Sequence, residues 1–333
     1  MQKNKLEKRS PLSSFVELIR GHLGILAALL VMCIALSIAT DSFLTSKNIF
    51  NVLRQIAVNV FLACSMTLVI ILGGIDLSVG STVAISGCIC ASLITKMGWS
   101  PYPAILLAIA IGGVIGCING LIASRTTIPP FIITLATMNI GRGLARVIVS
   151  NKTIAVDNDI YKFIGSGYVG GIPIHVIFIV IVVAITSIIL SRTQFGRGIY
   201  AVGGNKMAAK YSGLNPQRIT FFVFAINGVL AGCTGILSSS RTMVGQYSLG
   251  EGAEMDAITA VVLGGTSMTG GIGNISGTVI GCLIVGVLKN GMNLLGIDSS
   301  WQYVVQGVVV LIAVYTDFLK KTGLFSNRKK SAA

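Results

Sequence analysis

The chain has 333 residues, of which 53% are hydrophobic and only 11% charged, with a mean hydropathy of +0.84. A soluble domain carries about 25% charged residues. A soluble enzyme, a disordered chain and a nucleic-acid module are thereby excluded, and a polytopic membrane protein remains. The net charge of +14 does not point to nucleic acid, because the Lys and Arg residues sit in bursts between apolar runs, as the positive-inside rule expects.

A hydrocarbon core about 30 Å thick takes about 20 helical residues. Ten apolar runs are legible, at 23–39, 53–72, 79–94, 104–123, 128–149, 174–190, 219–237, 255–264, 272–288 and 301–318. The pattern predicts an all-α polytopic protein of about ten transmembrane helices forming a single domain over 1–333. Ser37-Ile38-Ala39 resembles a signal cleavage site. The charged lead and the apolar run are both too long for a signal peptide, so an uncleaved first helix is expected.

Basic residues cluster in three places: Lys3, Lys5, Lys8, Arg9 and Arg20; Arg192, Arg197, Lys206, Lys210 and Arg218; and Lys320, Lys321, Arg328, Lys329 and Lys330. Ten spans with both termini cytoplasmic put all three clusters inside, as tails 1–20 and 319–333 and a loop 192–217. Asp41, Asp157, Asp159, Glu251 and Asp298 then lie outside.

Two runs are interrupted, by Gly73-Gly74-Ile75-Asp76-Leu77-Ser78-Val79-Gly80 and by Gly264-Gly265-Thr266-Ser267-Met268-Thr269-Gly270-Gly271. Paired interruptions point to a duplicated half and a midplane pathway. A second echo, Val114-Ile115-Gly116-Cys117 and Val279-Ile280-Gly281-Cys282, points the same way. Gly112, Gly116 and Gly120, with Gly228/Gly232 and Gly277/Gly281, mark faces where helices pack closely.

Intramembrane polar residues are the candidates for a translocation path: Asn59, Asp76, Ser78, Asn119, Asn139 and Asn227, with Gln306 beside them. Asn and Gln can equally bind helices together, and Asp76 can cap the helix that follows it. Arg142 and Arg146 share a face near the end of the fifth span, where they snorkel or pair with Asp157 or Asp159. The seven Cys lie inside apolar runs and read as small packing residues. Gly165-Ser166-Gly167-Tyr168-Val169-Gly170 matches a dinucleotide pattern but lacks the strand-turn-helix setting. The chain contains no G-x-x-x-x-G-K-[ST] phosphate loop.

The loop 192–217 holds a capped stub. Asn205 is a good N-cap and Gly213 a good helix terminator, so 206–212 is expected to form about two turns whose Ala208 and Ala209 offer a small surface to a groove in a partner.

This loop resembles the coupling loop of the ATP-binding-cassette sugar import permeases of the ribose, xylose and galactoside class. The matching residues are Gly196-Arg197, Ala201, Gly203-Gly204-Asn205, Ala208-Ala209 and Ser212-Gly213. The run 73–80, Asn119-Gly120, 130–138, Arg142-Gly143, 263–266 and Gly270-Gly271 resemble further family motifs, so the likeness extends over about 20–318. It implies a permease of the bacterial inner membrane that binds no cofactor itself. ATP and Mg would sit on a partner ATP-binding subunit, a soluble sugar-binding protein would deliver a ribose-type monosaccharide, and a second permease copy would complete a homodimer. An ion-coupled secondary sugar transporter is the alternative; a membrane enzyme finds no constellation of nucleophile and base.

Overall fold

Each apolar run becomes one helix in the computed structural model, which describes residues 11–321. In chain order the helices are α1 (Pro11–Ala39), α2 (Ser46–Ile71), α3 (Val79–Thr95), α4 (Pro101–Arg125), α5 (Pro130–Val149), a short α6 (Asp159–Ser166), α7 (Ile174–Arg192), α8 (Gln194–Gly204), α9 (Lys206–Tyr211), α10 (Pro216–Thr242), α11 (Ala253–Leu263), α12 (Ile275–Leu294) and α13 (Ser299–Lys321), of which α6, α8 and α9 lie outside the ten runs. The expected tails, 1–20 and 319–333, lie outside the described residues except where they belong to α1 and α13. Among the described residues six helices, α2, α4, α5, α7, α10 and α12, are long and apolar enough to cross a bilayer. The 11 residues of α11 are too few to cross alone.

Local chemistry sets the helix starts. Thr45, Asn158, Asn205, Asn215 and Asn274 each accept a hydrogen bond from a backbone N–H of the first turn. Pro101, Pro130 and Pro216 occupy first-turn positions where no donor is needed. The dinucleotide-like run is a β-hairpin, β2 (Tyr168–Val169) against β3 (Ile172–Pro173), turned by Gly170 and Gly171 at positive φ. A second antiparallel pair joins β1 (Ile154–Ala155) to β4 (Val244–Gly245).

The centre of the bundle is α2, buried along most of its length, with α7, α10, α11 and α12 against it and α3 packed in turn on α10. The tightest approach is α4 on α10, where the two glycine stripes face each other. A Cβ on Gly116 would strike the Phe224 carbonyl and lie 2.8 Å from Gly228 Cα; one on Gly112 would lie 2.8 Å from Gly232 Cα. Small residues thus let two backbones touch where lipid supplies no hydrophobic drive. Outward-facing Leu106, Val114, Ile140, Val147, Ile188 and Leu311 are exposed, as a lipid-facing surface requires.

Both interruptions are helix ends of one kind. After α2, Gly73 (φ +89°) donates to Ile70 O at 2.9 Å and Gly74 to Val69 O at 2.9 Å. After α11, Gly265 (φ +87°) donates to Val262 O at 2.9 Å and Thr266 to Val261 O at 3.2 Å. These are Schellman ends. The left-handed glycine is the first of Gly73-Gly74 but the second of Gly264-Gly265, so the two breaks correspond with a one-residue shift from the Gly-Gly alignment. The second echo occupies non-equivalent places. Gly116 lies two helices beyond the first break and packs on α10, whereas Gly281 lies in the helix directly after the second and packs on Ala260 of α11.

Substitution at Gly116 should therefore separate from substitution at an open glycine. Gly116→Ala is expected to cost about 1–3 kcal/mol through overpacking. Gly143→Ala, where nothing lies within 4 Å of the added Cβ, should be neutral or stabilising by up to about 1 kcal/mol. Thermal unfolding of the two variants in detergent compares them, and equal melting would show that the α4–α10 approach is not the tight point.

Candidate functional site

The loop between α2 and α3 carries a carboxylate into the protein interior. Asp76 is 1% exposed. Its Oδ1 accepts from Ser78 N at 2.8 Å and Ser78 Oγ at 2.6 Å, and its Oδ2 accepts from Asn227 Nδ2 of α10 at 2.7 Å. Ser78 Oγ in turn accepts from Asn119 Nδ2 of α4 at 2.9 Å, and Asn119 Oδ1 accepts from Thr137 Oγ1 of α5 at 2.7 Å. One chain of hydrogen bonds thus joins the first break to three helices. Asp76 turns the backbone toward α3 by accepting from the residue two ahead, an Asx turn that precedes the helix; the N-cap position itself is Ser78, which makes no side-chain cap hydrogen bond. Thr134 Oγ1 completes the pairing, accepting from Leu77 N at 3.1 Å and donating to Ile75 O at 3.3 Å.

Four candidate path residues, Asp76, Ser78, Asn119 and Asn227, therefore meet, and Thr137 joins them. Asn59 is buried in α2 and Asn139 is exposed on α5, both apart from this network. Arg142 pairs with neither Asp157 nor Asp159. It donates to the carbonyls of Tyr247, Leu249 and Gly250 at 3.2, 2.7 and 2.8 Å, while Arg146 lies over the Tyr247 ring at 5.0 Å.

A second buried carboxylate, Asp256 of α11, forms an ion pair with Lys289 of α12 and accepts from Gln306 Nε2 of α13 at 2.5 Å. Nearby, Asn48 and Asn290 exchange two amide hydrogen bonds, of 3.0 and 2.8 Å. Lys289 directly follows the apolar run 272–288, and a lone lysine at such a place demands a partner.

The loop 192–217 is two helices, α8 and α9. Asn205 Oδ1 accepts from Ala208 N at 2.9 Å, and Gly213 at φ +85° closes α9 with donation to Lys210 O at 3.1 Å. The expected stub exists, but its surface differs from expectation. Ala208 is exposed, whereas Ala209 is 4% exposed because α9 leans on α8 and α10. The outward face carries Met207 and Tyr211, 57% and 83% exposed, one helical turn apart. Arg197 is exposed on α8.

Gly203 and Gly204 at the end of α8 touch both breaks. A Cβ on Gly203 would strike Ile71 O and lie 2.9 Å from Gly271 N. Gly271 N donates to Ile71 O at 2.8 Å, and Tyr200 Oη of α8 donates to Gly273 O at 2.7 Å. Gly196 is likewise a packing position, set against the carbonyls that end α7.

The profile of the family described as the branched-chain amino acid transport system permease component matches residues 48–314. The chain belongs to this permease family. It is 45% identical over 312 residues to a ribose import permease of Bacillus subtilis strain 168, covering 93% of this chain and 94% of that one. It is 41% identical over 300 residues to the ribose import permease of Escherichia coli K12, with 89% and 93% covered. A xylose transport system permease of Haemophilus influenzae is 35% identical over 369 residues, with 92% and 96% covered. The protein is thus a multi-pass membrane permease component and not an enzyme.

The permease's network should depend on hydrogen-bond shape more than on charge at residue 76. In Asp76→Asn the remaining oxygen keeps both Ser78 donors. The new amide then faces Asn227, whose Oδ1 has no partner and can turn to accept. Asp76→Ala strands Ser78 and Asn227 in the interior. Thermal unfolding should show a loss below about 1 kcal/mol for Asn and about 1–3 kcal/mol for Ala. Equal losses would sink this account.

Proposed function

We propose that this chain is the membrane subunit of an ATP-driven importer in the bacterial inner membrane, translocating a ribose-type monosaccharide delivered by a soluble binding protein. The observation that carries the proposal is the α8–α9 unit: a capped stub presenting Met207, Ala208 and Tyr211 outward and joined through Gly203 to both helix breaks. ATP and Mg belong to a separate ATP-binding chain, in keeping with the lack of a phosphate loop here. Closure of that partner displaces α9, and the packing of α8 against Ile71 and Gly271 carries the displacement to the breaks.

A neutral polyhydroxy solute is supported by the chemistry of the interior. An amino acid would bring two opposite charges that need counter-charges. Both oxygens of Asp76 are taken by protein donors, and Asp256 is taken by Lys289 and Gln306. Asp76 and Asp256 are therefore closed to a coupling ion; Glu254, whose Oε2 is buried without a hydrogen-bond partner, is the carboxylate left for the ion-coupled alternative that the reconstitution below tests. The relatives named above, two for ribose and one for xylose, support a sugar as the substrate class.

Two copies of the permease form the path between them. Asn139 and Gly143 stand exposed on α5, and none of the larger clefts is lined by Asp76, Ser78, Asn119 or Asn227. Both termini and the 192–217 segment are cytoplasmic.

Reconstitution tests the energy source. The chain alone in vesicles with a proton or sodium gradient should not concentrate ribose, while the chain with its ATP-binding partner and binding protein should do so on addition of ATP. Concentration by the chain alone would transfer the protein to the ion-coupled class. Tyr211→Glu should abolish co-purification of the ATP-binding subunit and the stimulated ATP turnover while insertion stays normal. Ala209→Glu instead places a charge in the protein interior and should impair folding.

For orientation, thiol labelling of Ser166→Cys and Ser212→Cys decides. Membrane-impermeant reagent should reach Cys at 166 from outside and at 212 only after the cytoplasmic face is opened. The reverse pattern would invert the topology.

A further inference from the structure

Where α4 ends and α10 begins, two adjoining clefts of about 350 and 550 Å³ share Arg125 in their walls. Arg218 completes the basic wall of the smaller, and Lys206 and Lys210 that of the larger. All four side chains are exposed, and among the described residues none has an ion-pair partner. The cause lies in the sequence: no Asp or Glu occurs between Asp76 and Asp157, nor between Asp159 and Glu251. Four cations therefore converge with no acid on either strand of chain that builds the cleft.

The smaller cleft also runs onto membrane-facing surface. Leu121 of α4 and Phe222 of α10 line it and are 41% and 53% exposed. A basic rim above an open apolar wall matches a ligand with an anionic head and a hydrocarbon tail. Basic pockets between helix ends hold anionic lipid headgroups. A protein partner would supply acidic side chains but would leave the apolar wall at the hydrocarbon boundary uncovered.

We propose that the cleft around Arg125 and Arg218 is a binding site for the phosphate headgroup of an anionic phospholipid, whose acyl chains lie on Leu121 and Phe222. The site flanks α9, so an occupied cleft also neutralises Lys206 and Lys210 beside the stub. The inference is independent of the solute carried, since it uses no residue of the Asp76 network.

Native mass spectrometry of the purified full-length chain tests it, with phosphatidylglycerol, phosphatidylcholine of the same acyl chains, and inorganic phosphate as probes. Wild type should retain phosphatidylglycerol in preference to phosphatidylcholine, and phosphate should neither displace the lipid nor raise the melting temperature as the lipid does. Each basic side chain near an anionic headgroup is worth roughly fivefold in affinity. Arg125→Gln/Arg218→Gln should therefore weaken phosphatidylglycerol binding about 25-fold by the same rule, whereas Lys152→Gln/Lys162→Gln, on exposed sites elsewhere, should leave it unchanged. Equal retention of the two lipids by wild type would overturn the proposal. So would phosphate substituting for the lipid, or a double variant that keeps the lipid and loses the ATP-binding subunit, since the cleft would then take a free anion or a protein. If the double variant does not fold, the wild-type lipid comparison and the single variant Arg218→Gln decide: about fivefold weaker phosphatidylglycerol binding is expected, and unchanged binding would overturn the proposal.

Discussion

A backbone group freed where a helix stops in the protein interior, away from water, has to be paired by protein. The two breaks in this permease are built around that constraint. Glycine at positive φ lets the last amides after α2 and α11 fold back on their own helices. The Ile71 carbonyl is left over, and Gly271 of the other break donates to it. On the far side of the first break, Asp76 and Thr134 take the amides of Ser78 and Leu77. Each break is therefore completed by groups outside itself, and neither can move without its partners being replaced.

That dependence gives the α8 helix its position. Gly203 fits where no side chain could, against Ile71 O and Gly271 N, at the spot where the two breaks hydrogen-bond. Tyr200 fastens the same helix to Gly273. On the proposed ATP-driven reading, a displacement of α9 would reach this junction through the capped pair of short helices α8 and α9. Packed backbone contacts of this kind switch between discrete arrangements and do not deform gradually. A stub on the surface and a carboxylate in the interior are thus linked by contiguous atoms, with α2 as the shared element.

The fold was legible because its strongest signal, hydrophobic run length, needs no tertiary knowledge; each of the ten runs became a helix. The capped stub was legible for the same reason, since Asn205 and Gly213 act on neighbours within a turn. What local chemistry could not supply was facing. Ala208 and Ala209 are adjacent in sequence, and only the lean of α9 on α10 decides that one is exposed and the other buried. The same limit applies to Asn119 and Asn139, both amides in apolar helices, of which only the first points at Ser78. Lys289 was visible in the sequence, but its ion pair spans 33 positions and two helices. The glycine stripes carried information in both partners, Gly112/Gly116 and Gly228/Gly232, without indicating that they face each other.

The two interior carboxylates show how the permease keeps charge where charge is costly. Asp256 is met by a full opposite charge, at the expense of desolvating Lys289 as well; removing one member of such a pair leaves the other stranded. Asp76 is met only by dipoles: an amide, a hydroxyl and a backbone N–H, continued through Asn119 to Thr137. Dipoles can be re-aimed by small rotations, whereas an ion pair has to be broken. The first arrangement suits a fixed joint among α11, α12 and α13. The second sits at one of the two breaks that α8 touches; on the proposed transport reading the helices there shift, and a network of rotatable donors would follow the shift without exposing an unpaired charge.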